Sequence, residues 1–138
     1  VLNTNSIQEA LVKYLKADAI LVAMLSSSGE IKEDNWQGVA FKYPAVRVDI
    51  RNQDTGTENS CAYSLVSFAV LCYSEQKSSK EANNIAWRVL EIFHNHSFSY
   101  NGIYFSRVRN MGLIPAQRKD DTTWVAEVNL ESRMQLSI

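Results

Sequence analysis

The chain has 138 residues, 46% of them hydrophobic and 21% charged, which is enough apolar material for one core in a single domain spanning 1–138. Fourteen basic side chains against fifteen acidic ones leave a net charge of −1, so there is no global basic field to hold nucleic acid irrespective of sequence. No apolar run approaches the roughly 18 residues of a membrane span, and no charged-then-apolar leader stands at the N-terminus, which points to a cytoplasm-like compartment and no membrane partner.

Ser6 and Glu9 have the spacing of a capping box, and Ile7, Ala10, Leu11, Tyr14 and Leu15 follow at i, i+3, i+4, i+7 and i+8. An amphipathic helix with one buried face is expected. Asp18 is placed to cap again, and Ile20, Leu21, Met24 and Leu25 continue the apolar stripe until Ser26-Ser27-Ser28-Gly29 stops it. Residues 26–44 read as a long polar connection with Trp36 inside it.

From Ala45 the period changes to two. Val46, Val48 and Ile50 share one face, and Arg47, Asp49 and Arg51 share the other, as in a half-buried strand. The turn-rich segment Asn52–Ser60 leads into Tyr63–Tyr73, a long apolar and β-branched run expected to lie antiparallel to the first strand. Ser78 and Glu81 suggest a second capping box, ahead of Ala82, Ile85, Ala86, Val89, Leu90 and Phe93 at helical spacing. Asn101-Gly102, between Phe98/Tyr100 and Ile103/Phe105, is the signature of a two-residue type I′ hairpin. After an expected loop Asn110–Thr122, a strand alternates Trp124, Ala126, Val128, Leu130, Met134 and Leu136 against Glu127, Asn129, Glu131, Arg133 and Gln135. The expected fold is α+β in the order α-α-β-β-α-β-β-β, an antiparallel sheet packed by an N-terminal helix and a long central helix. No internal repeat or low-complexity segment interrupts it.

Residues able to do chemistry are few. Cys61 and Cys72, eleven positions apart on extended chain, would be about 36 Å apart, too far for a disulfide. Cys72, between Leu71 and Tyr73, reads as a small apolar strand residue. His94 and His96 fall where the long helix should end, and an i, i+2 pair on a helix points in different directions, so no metal site is expected. Gly29, Gly38, Gly56, Gly102 and Gly112 form no phosphate-cradling loop, and no cofactor is expected. The acidic pairs Glu33-Asp34 and Asp120-Asp121 sit in polar segments, where solvated carboxylates are the ordinary content. Neither a Ser/His/Asp nor a Cys/His arrangement stands in a recognisable elbow, so the chain does not read as an enzyme.

Two features remain. Tyr104-Phe105-Ser106-Arg107-Val108-Arg109 mixes aromatic and basic residues, and a face bearing Phe105, Arg107 and Arg109 is the alternative reading, a small single-stranded nucleic-acid-binding module. Against it, Tyr104 and Val108 take the other face, so the aromatics form no single platform. Trp87 lies at the edge of the apolar helix face, a position that suits packing at the margin of the core or an oligomer contact.

The whole pattern resembles the tail terminator, or tail-completion, proteins of long-tailed bacteriophages. The resemblance rests on Ser6-Ile7-Gln8-Glu9-Ala10-Leu11 leading to Leu15-Lys16-Ala17-Asp18-Ala19, on Tyr43-Pro44-Ala45-Val46-Arg47-Val48, on the strand Ser64–Tyr73, on the helix Ser78–Phe93 and on the strand Trp124–Leu136. It covers nearly the whole chain through element order and apolar pattern rather than a catalytic signature. The resemblance implies a structural virion protein, assembled in the host cytoplasm and located at the tail end or neck. It implies a homohexameric ring that caps the tail tube protein, ends its polymerisation and meets the head connector or neck protein. Genomic DNA would pass through the lumen without sequence-specific binding. Within that expectation Asp54, Glu58, Trp87, Arg118, Lys119, Asp120 and Asp121 are the candidate intersubunit or tube contacts, because the two polar segments that hold most of them are too charged to serve the core.

Overall fold

The computed structural model describes residues 3–25, 27–33, 42–55 and 63–136. Among them, helix α1 spans Thr4–Lys16, α2 Ala19–Met24 and α3 Lys80–Phe93. The strands are β1 (Ile31–Glu33), β2 (Ala45–Thr55), β3 (Tyr63–Ser74), β4 (Phe98–Tyr100), β5 (Ile103–Phe105), β6 (Arg109–Arg118) and β7 (Trp124–Leu136). The fold is α+β with a mostly antiparallel seven-stranded sheet, in the order α-α-β-β-β-α-β-β-β-β.

α1 buries Ile7, Ala10, Leu11 and Leu15 of the expected stripe and adds Val12, while Tyr14 is half-buried against the core. Its cap differs from expectation. Asn3, in extended conformation, accepts the Asn5 N–H at 2.8 Å, so the helix starts before Ser6, and Glu9 pairs instead with Lys13 one turn on at 2.9 Å. Asp18 does cap α2, its Oδ1 accepting the Leu21 N–H at 2.9 Å. The same carboxylate takes the Arg88 guanidinium at 2.6 Å and so ties α2 to α3. α2 is only six residues long and buries Leu21, while Ile20 is turned outward.

α3 presents Ala82, Ile85, Ala86, Val89, Leu90 and Phe93 to the core as its spacing predicts. The second capping box does not form: Ser79 is the N-cap residue and makes no side-chain cap bond. Glu81 is drawn away by Ser74 at the end of β3, whose hydroxyl donates to it at 2.7 Å, and the Ser78 hydroxyl accepts only from Lys80 N–H. A carboxylate bonded across to the sheet cannot also reach back to its own helix terminus.

The sheet is organised around β7. All twelve residues of β3 pair antiparallel with it, from Tyr63↔Gln135 to Ser74↔Trp124. β2 pairs antiparallel with β3, with one slip between Ile50 and Asn52, and β1 adds in parallel beside Val46–Val48. On its other flank β7 is shared: β5 takes Met134–Leu136, and β6 takes Trp124–Glu131. The junction is stitched by two serines, the Ser106 hydroxyl donating to Arg133 O and the Ser132 hydroxyl to Ser106 O, each at 2.8 Å. β4 and β5 form the expected hairpin, with Asn101 at φ 54° and Gly102 at φ 80°, the paired positive values of a type I′ turn.

Three segments read as irregular contain strand. The connection 26–44 holds β1, with Trp36 outside the described residues. The expected loop Asn110–Thr122 is mostly β6, which has bulges between Asn110 and Gly112 and between Ile114 and Gln117 and runs on the sheet edge with most of its residues exposed. Edge position and bulges erase the two-residue period that would have marked it. The polar segment 52–60 likewise begins as strand, since β2 continues to Thr55; the rest of it lies outside the described residues.

α1 packs on β1 and β2, and α3 on β3, β7 and β6, all on one sheet face. Between them an aromatic cluster joins five elements: Tyr14 of α1 stacks on Phe98 of β4 at 3.8 Å, Phe98 on Phe105 of β5 at 4.5 Å, and Phe93 of α3, 5.6 Å from Tyr14, meets Phe68 of β3 edge-on at 5.5 Å.

Burial pushes the Asp18 carboxyl up, yet its bonds to Arg88 and to the Leu21 N–H hold it below its ordinary value of 3.8. A depressed folded value gives stability that is complete above the ordinary carboxylate range and is lost as pH falls through the folded value. Asp18→Ala should therefore cost about 1–2 kcal/mol at neutral pH through loss of the cap. Asp18→Asn, which keeps a capping oxygen and loses the ion pair, should cost less and should flatten stability against pH below the carboxylate range. Chemical denaturation of both variants from neutral to acidic pH checks this.

Candidate assembly surface

Chemical groups are dispersed in the folded chain. His94 closes α3, its N–H donating to Leu90 O, and both His94 and His96 are exposed. Among the described residues no three His, Cys, Asp or Glu side chains lie close enough to hold a metal ion, and no helix is long and apolar enough to cross a membrane. Cys72 is fully buried in β3, and burial pushes its thiol well above the ordinary range. Cys61 lies outside the described residues.

The face proposed for base stacking is not assembled. Phe105 is 0% exposed, packed on Phe98 and paired with Met134, so no base can lie on it. β5 ends at Phe105 and β6 begins at Arg109, which separates the aromatic from the arginines. Val108, expected on the face away from them, is in the core. Arg107 and Arg109 are exposed, the latter 3.5 Å from Glu131.

The sheet face opposite the helices carries ion pairs. Arg51 of β2 bonds Asp49 and also reaches Glu127 of β7 at 2.9 Å. Because β2 and β7 both flank β3, this bridge crosses over β3, where Ala69 sits between Asp49 and Asn129 in register. Arg47, expected on a solvated face, is buried: its Nη1 donates to Glu30 O at 2.6 Å and to Val46 O at 3.0 Å. The buried Glu30 carboxylate lies 3.9 Å from Nη2 and supplies the counter-charge for a guanidinium that an alternating pattern alone assigns to water.

The candidate contact residues fall in three places. Asp54 is exposed near the end of β2, opposite Leu65, and Glu58 lies outside the described residues. Arg118, Lys119, Asp120 and Asp121 form the tight connection between β6 and β7, at the other end of the sheet, roughly 30 Å from Asp54 at about 3.3 Å per strand residue. That connection is ordered by its own bonds: Arg118 Nη1 donates to Asp121 O at 2.9 Å, and Lys119 N–H donates to Thr123 O at 2.9 Å. Asp120 accepts the Thr122 N–H at 2.9 Å, which holds its carboxyl below the ordinary range. Arg118 also lies over the Trp124 ring and Lys119 over the Tyr73 ring, each at 5.1 Å.

Trp87 is 56% exposed, further from the core than a place at its margin requires. α3 and β6 run antiparallel side by side, with Asn83 Oδ1 accepting the Ala116 N–H at 2.8 Å and Asn95 N–H donating to Val108 O at 3.0 Å. Trp87, one turn from Asn83, therefore lies on the β6 side of α3. On β6 itself Met111 and Ile114 are exposed, Ile114 paired with Glu127 and so turned to the sheet face opposite the helices. Sequence reasoning missed Met111 and Ile114 because they stand in the segment read as a loop; their bulk in a polar stretch was the available signal.

The fold is thus α+β, with Arg–carboxylate pairs on its outer sheet face and Trp87, Met111 and Ile114 exposed on α3 and β6. No protein-family model matches the chain, and no curated protein matches it. Among solved structures the chain is similar to a component described as the virion of a native gene transfer agent particle, at 14% identity over 95% of this chain and 96% of that one, with a TM-score of 0.72. A second solved protein, also at 14% identity, aligns over 100% of this chain and 98% of its own with a TM-score of 0.61. Both likenesses show the fold.

In a Cys61→Ser chain, Cys72 should react with a thiol reagent only at the rate of global unfolding, because a buried thiol forms almost no thiolate. Labelling followed by mass spectrometry across a denaturant series measures this, and rapid labelling of native protein would contradict the burial.

Proposed function

We propose that this chain is a structural subunit of a phage-like particle. In this role it closes into a ring of six copies at the end of the tail tube, ends tube polymerisation and offers the surface to which the head is joined. The observation that carries the proposal is the nearly full-length likeness to a gene transfer agent virion component, with both chains covered to 95% or more. The finer role, at the tail end, comes from the resemblance of the sequence to tail terminators.

The fold suits such a position. A tube grows because each added ring exposes a surface like the one it covered; a terminator must match the tube on one side and present something different on the other. The sheet offers different groups at its two ends, with the Arg118–Asp121 connection at one and Asp54 at the other. Partners in this role are other copies of the chain, the tail tube protein and the head connector or neck protein. Genomic DNA passes without sequence-specific binding, and a chain of net charge −1 does not retain its phosphates. The role is structural and asks for neither cofactor nor catalysis.

Deleting the protein should leave tails that are overlong or unable to join heads, with DNA-filled heads accumulating separately, and complementation should restore joining. Electron microscopy of the lysate reads this out; normal tails joined to heads would sink the proposal. Within the ring, Arg118→Glu with Lys119→Glu should weaken assembly. The melt should fall by no more than the loss of two exposed cation–π contacts, about 0.5–1 kcal/mol each, and of exposed charge pairing, about 0–1 kcal/mol. Unimpaired assembly in light scattering would remove both residues from the interface.

A further inference from the structure

We propose that the groove at the β5–β6 junction is an oxyanion site for the phosphates of duplex DNA, with Arg107, Arg109 and Arg133 as its donors. The choice of DNA as the ligand rests on the particle reading, while the site itself stands on geometry and charge.

The groove exists because two short strands share one long one. β5 ends at Phe105, opposite Met134, and β6 begins at Arg109, opposite Glu131, so no strand runs beside Ser132 and Arg133. The serine bonds complete the backbone there, and a groove of about 260 Å³ is left on the sheet, lined by the three arginines with Leu65, Glu131 and the two serines. Its walls are held in place. Ser106 N–H donates to Arg133 O at 2.9 Å, and Ser106 Oγ accepts the Arg133 N–H at 3.1 Å. Val108, between the other two arginines, is anchored in the core at 0% exposed. Arg107 and Arg109 therefore leave the chain on the side away from the core, where Arg109 meets Glu131 and Arg133 stands opposite Leu65.

The charge of the groove is not balanced by its own lining. Elsewhere Arg47 is matched by Glu30, Arg51 by Asp49 and Glu127, and Arg88 by Asp18 and Glu91. Here three guanidiniums line a groove with one carboxylate, Glu131. Its contact with Arg109 is 3.5 Å long with the arginine side chain 70% exposed, a pair that water and salt loosen readily. Arg107 pairs with no carboxylate among the described residues.

Guanidinium forks donate paired, coplanar N–H groups, which suit the oxygens of a phosphate better than a single ammonium does. No aromatic side chain lines the groove and Phe105 is buried, so nothing in it reads a base, and contact with the sugar-phosphate backbone is what remains. Exposed arginines make a salt-labile contact. In a chain of net charge −1, such a contact is broken and remade as DNA passes, and does not hold it. Within a ring, the groove marks the part of the outer sheet face that is turned toward the DNA path.

The test is fluorescence anisotropy of a labelled mixed-sequence duplex titrated with the full chain, from about 20 mM to about 200 mM salt. Contact through three arginines should make log affinity fall with log salt at a slope of about −3, at about −0.9 per phosphate. Arg107→Ala with Arg109→Ala should reduce that slope by about two and weaken binding at the lowest salt more than tenfold. Lys13→Ala with Lys16→Ala, the same charge change on α1 at the helix side of the sheet, should leave affinity within about twofold. Circular dichroism checks that both double variants are folded. No binding at the lowest salt, equal loss in the two double variants, or tighter binding of polyglutamate than of the duplex would each overturn the site. Failure to form rings, read by light scattering at high concentration and by microscopy on tube ends, would overturn the ring reading, while duplex binding with the expected slope would still carry the site.

Discussion

Every other part of the sheet takes its place from the pairing of β7 along both of its sides. On one flank it holds β3 residue for residue, and on the other it is divided between β5 near its C-terminal end and β6 over its first half. Two short partners on one long strand leave a gap at their junction, and unpaired backbone there would be costly. Ser106 and Ser132 close that gap with hydroxyl-to-carbonyl bonds. This accounts for Ser132 being buried at a position where alternation calls for an apolar residue. Because β7 fixes which face of β6 turns inward, it also decides that Leu113 and Ala116 lean on the core while Met111 and Ile114 remain outside.

What could be read from the sequence follows from where burial imposes a period. α1 and α3 each bury a single stripe against the sheet, and Ile7–Leu15 and Ala82–Phe93 spell those stripes without interruption. Asn101-Gly102 fixed a hairpin because few other pairs take two positive φ values. β6 is hidden for the opposite reason: an edge strand held by pairing, with solvent on most of its surface, needs no alternation. β1 is hidden because three residues carry no period at all. The capping boxes failed by competition, since Asn3 offered an earlier cap and Ser74 captured Glu81 from the sheet. Long-range partners of that kind leave no mark within a local window.

The candidate surface shows the same division. Exposed charges at 118–121 are readable because polar residues cluster there, and the structure adds that they are held in one compact turn. Trp87 stands out by its place on the helical wheel. That α3 runs beside β6 at all cannot be seen without knowing that Asn83 meets Ala116. Arg47 runs against expectation because its partners are main-chain carbonyls and a carboxylate seventeen residues earlier, Glu30, none of which a local window reveals. Phe105 and the nearby arginines, adjacent in sequence, part company as the chain leaves β5, so proximity along the chain suggests a surface that folding dissolves.

The ladders of this sheet are unequal in regularity: β3 and β7 pair through twelve positions without a slip, whereas β2–β3 has one and β6–β7 has two. Under tension directed along the strands, an unbroken antiparallel ladder must shear all its rungs together, while a bulged one yields in sections. Pulling would therefore peel β6 first and leave β3 and β7 joined to the end. The two central strands thus form a mechanical spine, with the more compliant material on the sheet's edges.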